Sequence, residues 1–537
     1  FAYSLPFTGY FSNIGVRTLN GGSADAAGLL LFLLLGAVHG LLLYGAERFI
    51  FQRKSFVDKV ENFSKGKPGF LLSASVAGAV VALGAAGLLA LTRLSFLLPD
   101  TLRTRIASIN LQQNSLLERI AFYRDAFKLI RDYPLIGAGG GAWAELYLQY
   151  QSNPYSSRQA HNFFLQYAAE TGAVGFLALA VFLGIAVYAA FKNWKSASSP
   201  ENRNWILALF AVVFAMLAHS VIDFNMSYLY VSTLIFLALG AVSGSFHGKS
   251  ALPRLKKLKW AYTGTMLAVS LASLIAFVPL VSAQLSMSDM EARYKRSKVL
   301  QDFVQPLNDA VAKHPYNPNY AFVKLEIMNS AYEQTGDMQF LDEAADIIAA
   351  LKKSMPESLD LFNYEFDHLL MREMNEEALE LVLQGVKKYP WDIEAYEKAM
   401  PLLFGFAYAA VLNGQAEEAG KYIAAGDDIM RQLQAQLKKL AELPPGQEQG
   451  KPFYLTDTIA VHIGKLYYLG GQYDQAAQVL RTLAKRDLTD FFAQDAAVWY
   501  LAALAKQNRS DEAVEQKASG AIGNLDAQLA EVLALTE

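Results

Sequence analysis

The chain has 537 residues, of which 53% are hydrophobic and 18% are charged; it is too apolar for an ordinary soluble protein and too charged for one that lies wholly in a membrane. Residues 1–288 carry 23 Lys and Arg against 12 Asp and Glu, a net +11, whereas residues 289–537 carry 24 against 38, a net −14. The chain contains no cysteine, which excludes disulfides, thiolate metal sites and cysteine nucleophiles.

Six apolar stretches in the basic part are long enough to cross a bilayer, since a spanning helix needs about 20 apolar residues. They occupy residues 24–46, 69–92, 172–191, 205–222, 226–245 and 261–283. Residues 1–15 are a candidate for the end of a seventh span, and no signal peptide is visible. We therefore expect that the chain is truncated at its amino terminus and begins inside a longer protein.

The connecting loops give these spans an orientation. Residues 47–68, 192–204 and 246–260 are rich in Lys and Arg and fall on one side, which the positive-inside rule makes the cytoplasm. The long loop 93–171 and everything after about residue 284 then face outward. The sequence predicts an all-α protein, with a membrane domain over 1–288 and an extracytoplasmic helical-repeat domain over 289–537.

The outer loop contains a predicted helix near 114–133, ended by Pro134. Arg124 and Arg131 are seven residues apart and share one face, whereas Arg119 points about 140° away from Arg124. An arginine here suits phosphate binding through its planar fork of donors. The alternative is an interfacial helix whose basic side chains meet anionic lipid headgroups.

A glycine-rich stretch, Gly137 and 139–141, follows this helix. Its backbone N–H groups are candidates for binding an anion. However, no Lys-Ser/Thr follows as in a phosphate-binding loop, and no strand precedes it. A re-entrant turn is the favoured explanation.

Two polar positions lie where the predicted spans meet the outer side. His161 and Asn162 precede one span, and imidazole exchanges protons near neutral pH without special tuning. If 161–170 is one helix, Glu170 lies on the opposite face from His161 and is a structural partner. His219 and Asp223 are four apart, so on a helix they share a face; the alternative is a structural pair that closes a helix turn. Metal is not expected, because no H-E-x-x-H or comparable ligand cluster is present.

The ordered set of these elements resembles the O-antigen ligase and polymerase family of membrane glycosyltransferases. The set runs from an arginine-bearing helix through Pro134–Gly139 and His161-Asn162 to Glu170–Gly175, over roughly 115–191, and the later turn extends it to about 245. The resemblance implies a catalytic His161 and an arginine best matched by Arg119. For a second family arginine Arg17 is the only candidate, and its surroundings match poorly. We predict catalysis by His161 and Arg119, and substrate binding by Arg124, Asn162, Arg17, His219 and Asp223.

The resemblance also implies a reaction. A glycan moves from a polyprenyl-diphosphate donor to a glycan, lipid or protein acceptor, without metal or other cofactor, on the outer face of a bacterial cytoplasmic membrane. His161 then serves as a base for the acceptor hydroxyl or as a hydrogen-bond donor to the diphosphate. Membrane lipids are expected partners, and nucleic acid is not. The alternative function is a non-enzymatic scaffold or transport-associated protein whose repeats bind partners.

The acidic part has the pattern of paired amphipathic helices. Pro315, Pro356 and Pro390 are spaced 41 and 34 residues apart, which resembles degenerate tetratricopeptide repeats. We expect Tyr467, Tyr468, Tyr473 and Trp499 to be core residues rather than ligand contacts, and 443–452 to be a loop. Such a surface usually binds a protein, although it would equally hold a nascent polymer or cap the membrane domain.

Overall fold

A computed structural model describes residues 114–244, 255–297, 299–315, 317–444 and 450–536. The predicted spans at 24–46 and 69–92, the segment 1–15, the loop 47–68, Arg17 and most of the loop 246–260 lie outside the described residues. The described residues all belong to one compact unit, Leu111–Glu537. This unit is all-helical where it is described, which confirms the predicted fold class.

In the described part of the chain, the first seven helical elements carry the loop and the apolar helices. They are α1 (Asn114–Asp132), α2 (Ala142–Tyr150), α3 (Phe163–Ser196), α4 (Pro200–His219), a 3-10 turn (Asn225–Ser227), α5 (Leu229–Gly244) and α6 (Leu255–Arg296). Helix α1 ends two residues before Pro134, as predicted. Helix α3 begins nine residues earlier than the predicted span at 172–191, but Gly172 interrupts it with φ 63° and ψ −167°.

Three helices in the described part are long and apolar enough to cross a membrane: Phe163–Ser196, Pro200–His219 and Thr263–Arg296. They correspond to the predicted spans at 172–191, 205–222 and 261–283. The predicted span at 226–245 forms α5, which is apolar but only 16 residues long. Most side chains of these helices are exposed although they are apolar, which is the pattern expected of lipid-facing surfaces.

Helix α6 connects the apolar helices to the acidic part without a break. Its 42 residues give a length of roughly 60 Å, about twice the hydrocarbon thickness of a bilayer. Near its end, Met287 and Met290 are buried in a cluster with Phe303 and Leu307. The predicted domain boundary at residue 288 therefore falls inside a continuous helix, and the division at this point stays a prediction.

Twelve further helices follow: α7 (Leu300–Lys313), α8 (Pro318–Thr335), α9 (Met338–Ser354), α10 (Leu359–Met371), α11 (Asn375–Lys388), α12 (Ile393–Leu412), α13 (Ala416–Ala441), α14 (Asp457–Leu469), α15 (Tyr473–Ala484), α16 (Phe491–Ala505), α17 (Glu512–Ala521) and α18 (Leu525–Ala534). Neighbours along the chain from α7 to α17 pack against one another, and α18 packs against α16, as an array of helix pairs requires. The tetratricopeptide assignment stays a prediction. Tyr467, Tyr468 and Trp499 are buried and Tyr473 is partly buried in the largest core, as predicted.

This helical array contacts the loop that carries α1 and α2. The backbone N–H of Lys451 donates to the carbonyl of Pro154 at 2.7 Å. The Gln149 amide donates to the Glu357 carboxylate, also at 2.7 Å. Residues 450–456 lie between α13 and α14 and are not helical, as the predicted loop requires. The array is therefore placed beside the region in which the sequence predicts the site.

Candidate functional site

Helix α1 supplies one wall of the site. Arg119, Phe122 and Tyr123 are spaced three and four apart and therefore share a face, whereas Arg124 is exposed on another side. The loop after α2 is held to this helix by Asp125, which is fully buried. The Asp125 carboxylate accepts hydrogen bonds from Lys128 Nζ at 2.8 Å and from the backbone N–H of Ser152 at 3.0 Å. The buried charge is thus paired, and it fixes the path of the chain toward His161.

His161 is held by backbone and ring contacts on several sides. Its φ of +51° is uncommon for a residue other than glycine. Its carbonyl accepts a hydrogen bond from the Tyr123 hydroxyl at 2.9 Å. The imidazole stacks on Phe122, with centroids 5.7 Å apart and planes 15° apart, and meets Phe224 edge-on at 4.9 Å. The ring is therefore preoriented between two aromatic side chains.

A third element, the turn after α4, closes the site. The backbone N–H of Phe163, the first residue of α3, donates to the Ser220 carbonyl at 2.9 Å. The Tyr123 hydroxyl lies 3.3 Å from the Val221 carbonyl. These contacts join α1, the start of α3 and the turn at 220–224. They bring Asp223 next to His161 although the two residues are 62 positions apart.

Asp223 lies between the two predicted catalytic residues. Its Oδ1 is 3.6 Å from His161 Nδ1, and its Oδ2 is 4.0 Å from Arg119 Nη2. Both separations exceed a hydrogen bond, and Nδ1 is buried without a hydrogen-bond partner among the described residues. The side chains of His161, Asp223 and Arg119 are 25%, 25% and 31% exposed. The three groups form a charged cluster that is partly open to solvent.

The environment lowers the pKa of His161 below its usual value. Burial of the imidazole is the main cause, and the positive charge of Arg119 acts in the same direction. The Asp223 carboxylate opposes both by favouring the imidazolium. A lowered pKa keeps the imidazole neutral near pH 7, which is the form that accepts a proton.

The other predicted substrate-binding residues differ in their placement. Asn162 is buried, and its Oδ1 accepts a hydrogen bond from the backbone N–H of Leu165 at 3.0 Å, so it caps α3. His219 Nδ1 contacts the Asn225 amide. Arg124 is exposed and away from the cluster, and Arg17 lies beyond the described part.

Two helical assumptions behind the sequence predictions are wrong. Residues 161–170 are not one helix, because α3 begins at Phe163. The periodicity argument therefore does not relate His161 to Glu170, whose carboxylate accepts a hydrogen bond from Gln166 at 3.1 Å. His219 and Asp223 are not one turn apart on a helix either, because α4 ends at His219. The turn after this helix directs Asp223 toward His161 and Arg119 instead.

The glycine-rich turn packs backbone to backbone against the break in α3. The N–H groups of Ala138 and Gly139 donate to the carbonyls of Ala169 and Glu170 at 2.9 and 3.0 Å. A Cβ on Gly172 would lie 2.4 Å from the Leu135 carbonyl oxygen. The amides of Ala138 and Gly139 are therefore engaged within the chain, which favours the re-entrant turn over an anion site at this position.

The sequence prediction missed Phe122, Tyr123 and Phe224, which position His161. A signal for the first two was present, since they follow Arg119 by three and four residues on a predicted helix. No periodicity connects Phe224 to this face, because it lies in a turn after another helix.

Comparison with known proteins gives one family match, which covers part of the region that carries the resemblance. Residues 23–180 match the family model described as O-Antigen ligase, which spans less than a third of the chain. The match includes Arg119 and His161 and ends before Asp223. It supports a membrane protein of the glycan ligase and polymerase type. No curated protein and no solved structure matches the chain significantly.

Proposed function

We propose that the chain is a membrane glycosyltransferase that moves a glycan from a polyprenyl-diphosphate donor to an acceptor hydroxyl. The convergence of Arg119, His161 and Asp223 from three separate elements carries this proposal. It supplies a guanidinium for a phosphate, a neutral imidazole for a proton and a carboxylate between them. The match of residues 23–180 to the O-antigen ligase family supports the same reaction class.

Arg119 would hold the diphosphate of the donor. Its contact with Asp223 is at 4.0 Å, so the guanidinium keeps donors available for a phosphate oxygen. Negative charge grows on the diphosphate as the bond from the sugar C1 to the phosphate oxygen breaks. A fixed cation at that position stabilises the transition state more than the ground state.

His161 would act as the general base. As the acceptor oxygen bonds to C1, its proton passes to His161, and the polyprenyl diphosphate leaves with the electron pair of the broken bond. Nδ1 is buried and faces Asp223, so Nε2 would receive the proton while Asp223 stabilises the imidazolium. This arrangement favours the base over the alternative role of His161 as a diphosphate ligand.

The setting of this reaction is also a proposal. The donor tail requires lipid, and the site lies at the start of α3 and the end of α4, both candidate spans. We assign the site and the helical array to the outer side of a bacterial cytoplasmic membrane. The array contacts the loop next to the site, so both belong on one side. Protease added to intact cells should then cleave the array, and cleavage only in inverted vesicles would reverse this orientation.

The function is tested by glycan analysis of a deletion strain complemented with variants. The deletion should accumulate the lipid-linked precursor. His161→Ala should not restore transfer, since removing a general base lowers rates about 10²–10⁴-fold. Arg119→Lys should also fail, because a point charge does not reproduce the planar fork.

Matched controls are His314→Ala in the helical array and Arg131→Lys in α1, whose side chain is 77% exposed. Both should restore transfer fully. Full transfer by His161→Ala at normal protein abundance would contradict the proposal and favour a scaffold. All variants are compared at equal amounts of inserted protein.

A further inference from the structure

A pocket of about 380 Å³ lies where the helical array meets the loop of α1 and α2. On the loop side it is lined by Glu118, Phe122, Tyr155 and Ser156, and on the array side Lys451 contributes. Its volume is within the range of about 300–1,000 Å³ that is typical of small-molecule sites. The pocket thus combines groups from two regions that are about 300 residues apart in sequence.

The seam between the loop at Pro154 and the array at residues 450–451, which forms this pocket, is closely packed. The Lys451 backbone N–H donates to the Pro154 carbonyl, and a Cβ on Gly450 would lie only 2.4 Å from that same carbonyl oxygen. Glycine at this position therefore permits a close approach that another residue would prevent. Because the array supplies one wall, the pocket depends on how the array contacts the loop.

The pocket adjoins the proposed reaction centre. Phe122 lines it and also stacks on the His161 imidazole. Tyr155 packs edge-on against Phe122 with centroids 6.1 Å apart. Glu118 immediately precedes Arg119 on α1; burial raises the pKa of Glu118, and the charge of Arg119 opposes this rise. An occupant would lie one aromatic ring away from the proposed base.

The lining selects among possible occupants. The lining residues include an acid, a lysine and a serine, which disfavour an acyl chain, since their polar groups are costly to desolvate against hydrocarbon. Glu118 accepts hydrogen bonds, Lys451 donates them and Ser156 does both, and the aromatic rings add apolar surface. Several hydroxyls arranged around a compact ring, as in a sugar, satisfy this mixed set.

We propose that the pocket is the acceptor subsite, and that its occupant is the terminal sugar residue of a glycan acceptor. The proposal rests on the proposed function and adds that the helical array helps to select the acceptor. Glu118 and Lys451 are then specificity contacts, whereas Arg119 and His161 carry the reaction.

The experiment measures transfer kinetics with the full chain in lipid nanodiscs. The probe is the unmodified acceptor purified from the deletion strain, with lipid-linked donor from the same strain. Glu118→Gln and Lys451→Ala should each raise the KM for acceptor about tenfold or more, since each removes a charge-assisted hydrogen bond. The kcat at saturating acceptor and the KM for donor should not change. Lys439→Ala, at an exposed lysine of α13, is the matched control.

A second pair of variants tests the seam without removing a polar group. Gly450→Ala should raise the acceptor KM by displacing the loop, whereas Gly420→Ala, where a Cβ meets nothing within 4 Å, should not. Thermal unfolding of each purified variant shows that the array remains folded.

Three outcomes would overturn the inference. The first is an unchanged acceptor KM in both charge variants. The second is an effect confined to kcat or to the donor KM. The third is an accumulated acceptor that proves to be a protein or lipid without sugar. If His161→Ala is inactive in the same assay, the proposed function stands while the subsite fails. Absence of transfer by the unsubstituted chain would instead remove the proposed function itself, and full activity of His161→Ala would remove the role of His161 as its base.

Discussion

Replacing Asp223 with asparagine removes the charge between Arg119 and His161 while keeping the size of the side chain. The carboxylate lies 3.6 Å from His161 Nδ1. Unit charges about 4 Å apart interact by about 1 kcal/mol in water and about 4 kcal/mol at an effective dielectric constant of 20. Since both side chains are one-quarter exposed, the imidazolium that forms during transfer should lose an amount between these limits. We expect kcat to fall about 10- to 100-fold.

The assay compares Asp223→Asn with the unsubstituted chain at saturating donor and acceptor and at equal amounts of inserted protein. Asp474→Asn is the matched control, because its carboxylate is 87% exposed on the helical array and should not affect transfer. Asp223→Glu should recover part of the rate, since it restores the charge at a different reach. An unchanged kcat in Asp223→Asn would refute the role of the carboxylate in stabilising the imidazolium.

Two further predictions concern the protonation of His161 and the close backbone contact at Gly172. Arg119 lowers the pKa of His161 and Asp223 raises it. The acid limb of His161 modification by diethyl pyrocarbonate should therefore move to higher pH in Arg119→Gln and to lower pH in Asp223→Asn. Shifts of both variants in the same direction would contradict these roles of the two charges. Gly172→Ala should destabilise the chain by about 3 kcal/mol or more, because its φ and ψ are nearly exclusive to glycine and a Cβ would overlap backbone atoms. In the same helix a Cβ on Gly184 would have no atom within 4 Å, so Gly184→Ala should unfold at the temperature of the unsubstituted chain or slightly higher. Equal unfolding temperatures for Gly172→Ala and Gly184→Ala would refute the clash at Gly172.

Much of the fold was predictable because it depends on local sequence. Apolar length marks α3, α4 and α6, and Pro134 limits α1, since proline interferes with a continuing helix. The helix ends were harder to place. The start of α3 is determined by the Asn162 cap and by the contact of Phe163 with Ser220, and the second of these is a tertiary contact.

The site was predictable only in part for the same reason. His161 and Arg119 belong to a motif that the sequence displays, and the structure places Asp223 between them. The position of Asp223 depends on where α4 ends, and the helical pattern suggested that the helix continued through it. Lys451 lies more than 300 residues after Glu118 and Phe122, so no pattern along the chain relates it to them.

The arrangement of backbone donors explains why Arg119 should be difficult to replace. A glycine-rich turn and a helix amino terminus are the usual backbone sites for a phosphate. Here the amides of Ala138 and Gly139 are engaged by carbonyls of α3, and that of Phe163 by the turn after α4. In the proposed reaction these three amides do not bind the diphosphate, and the Arg119 guanidinium would provide both charge and directed donors for it. A lysine would supply the charge without the fork, so Arg119→Lys should lose kcat even though the net charge of the cluster is unchanged.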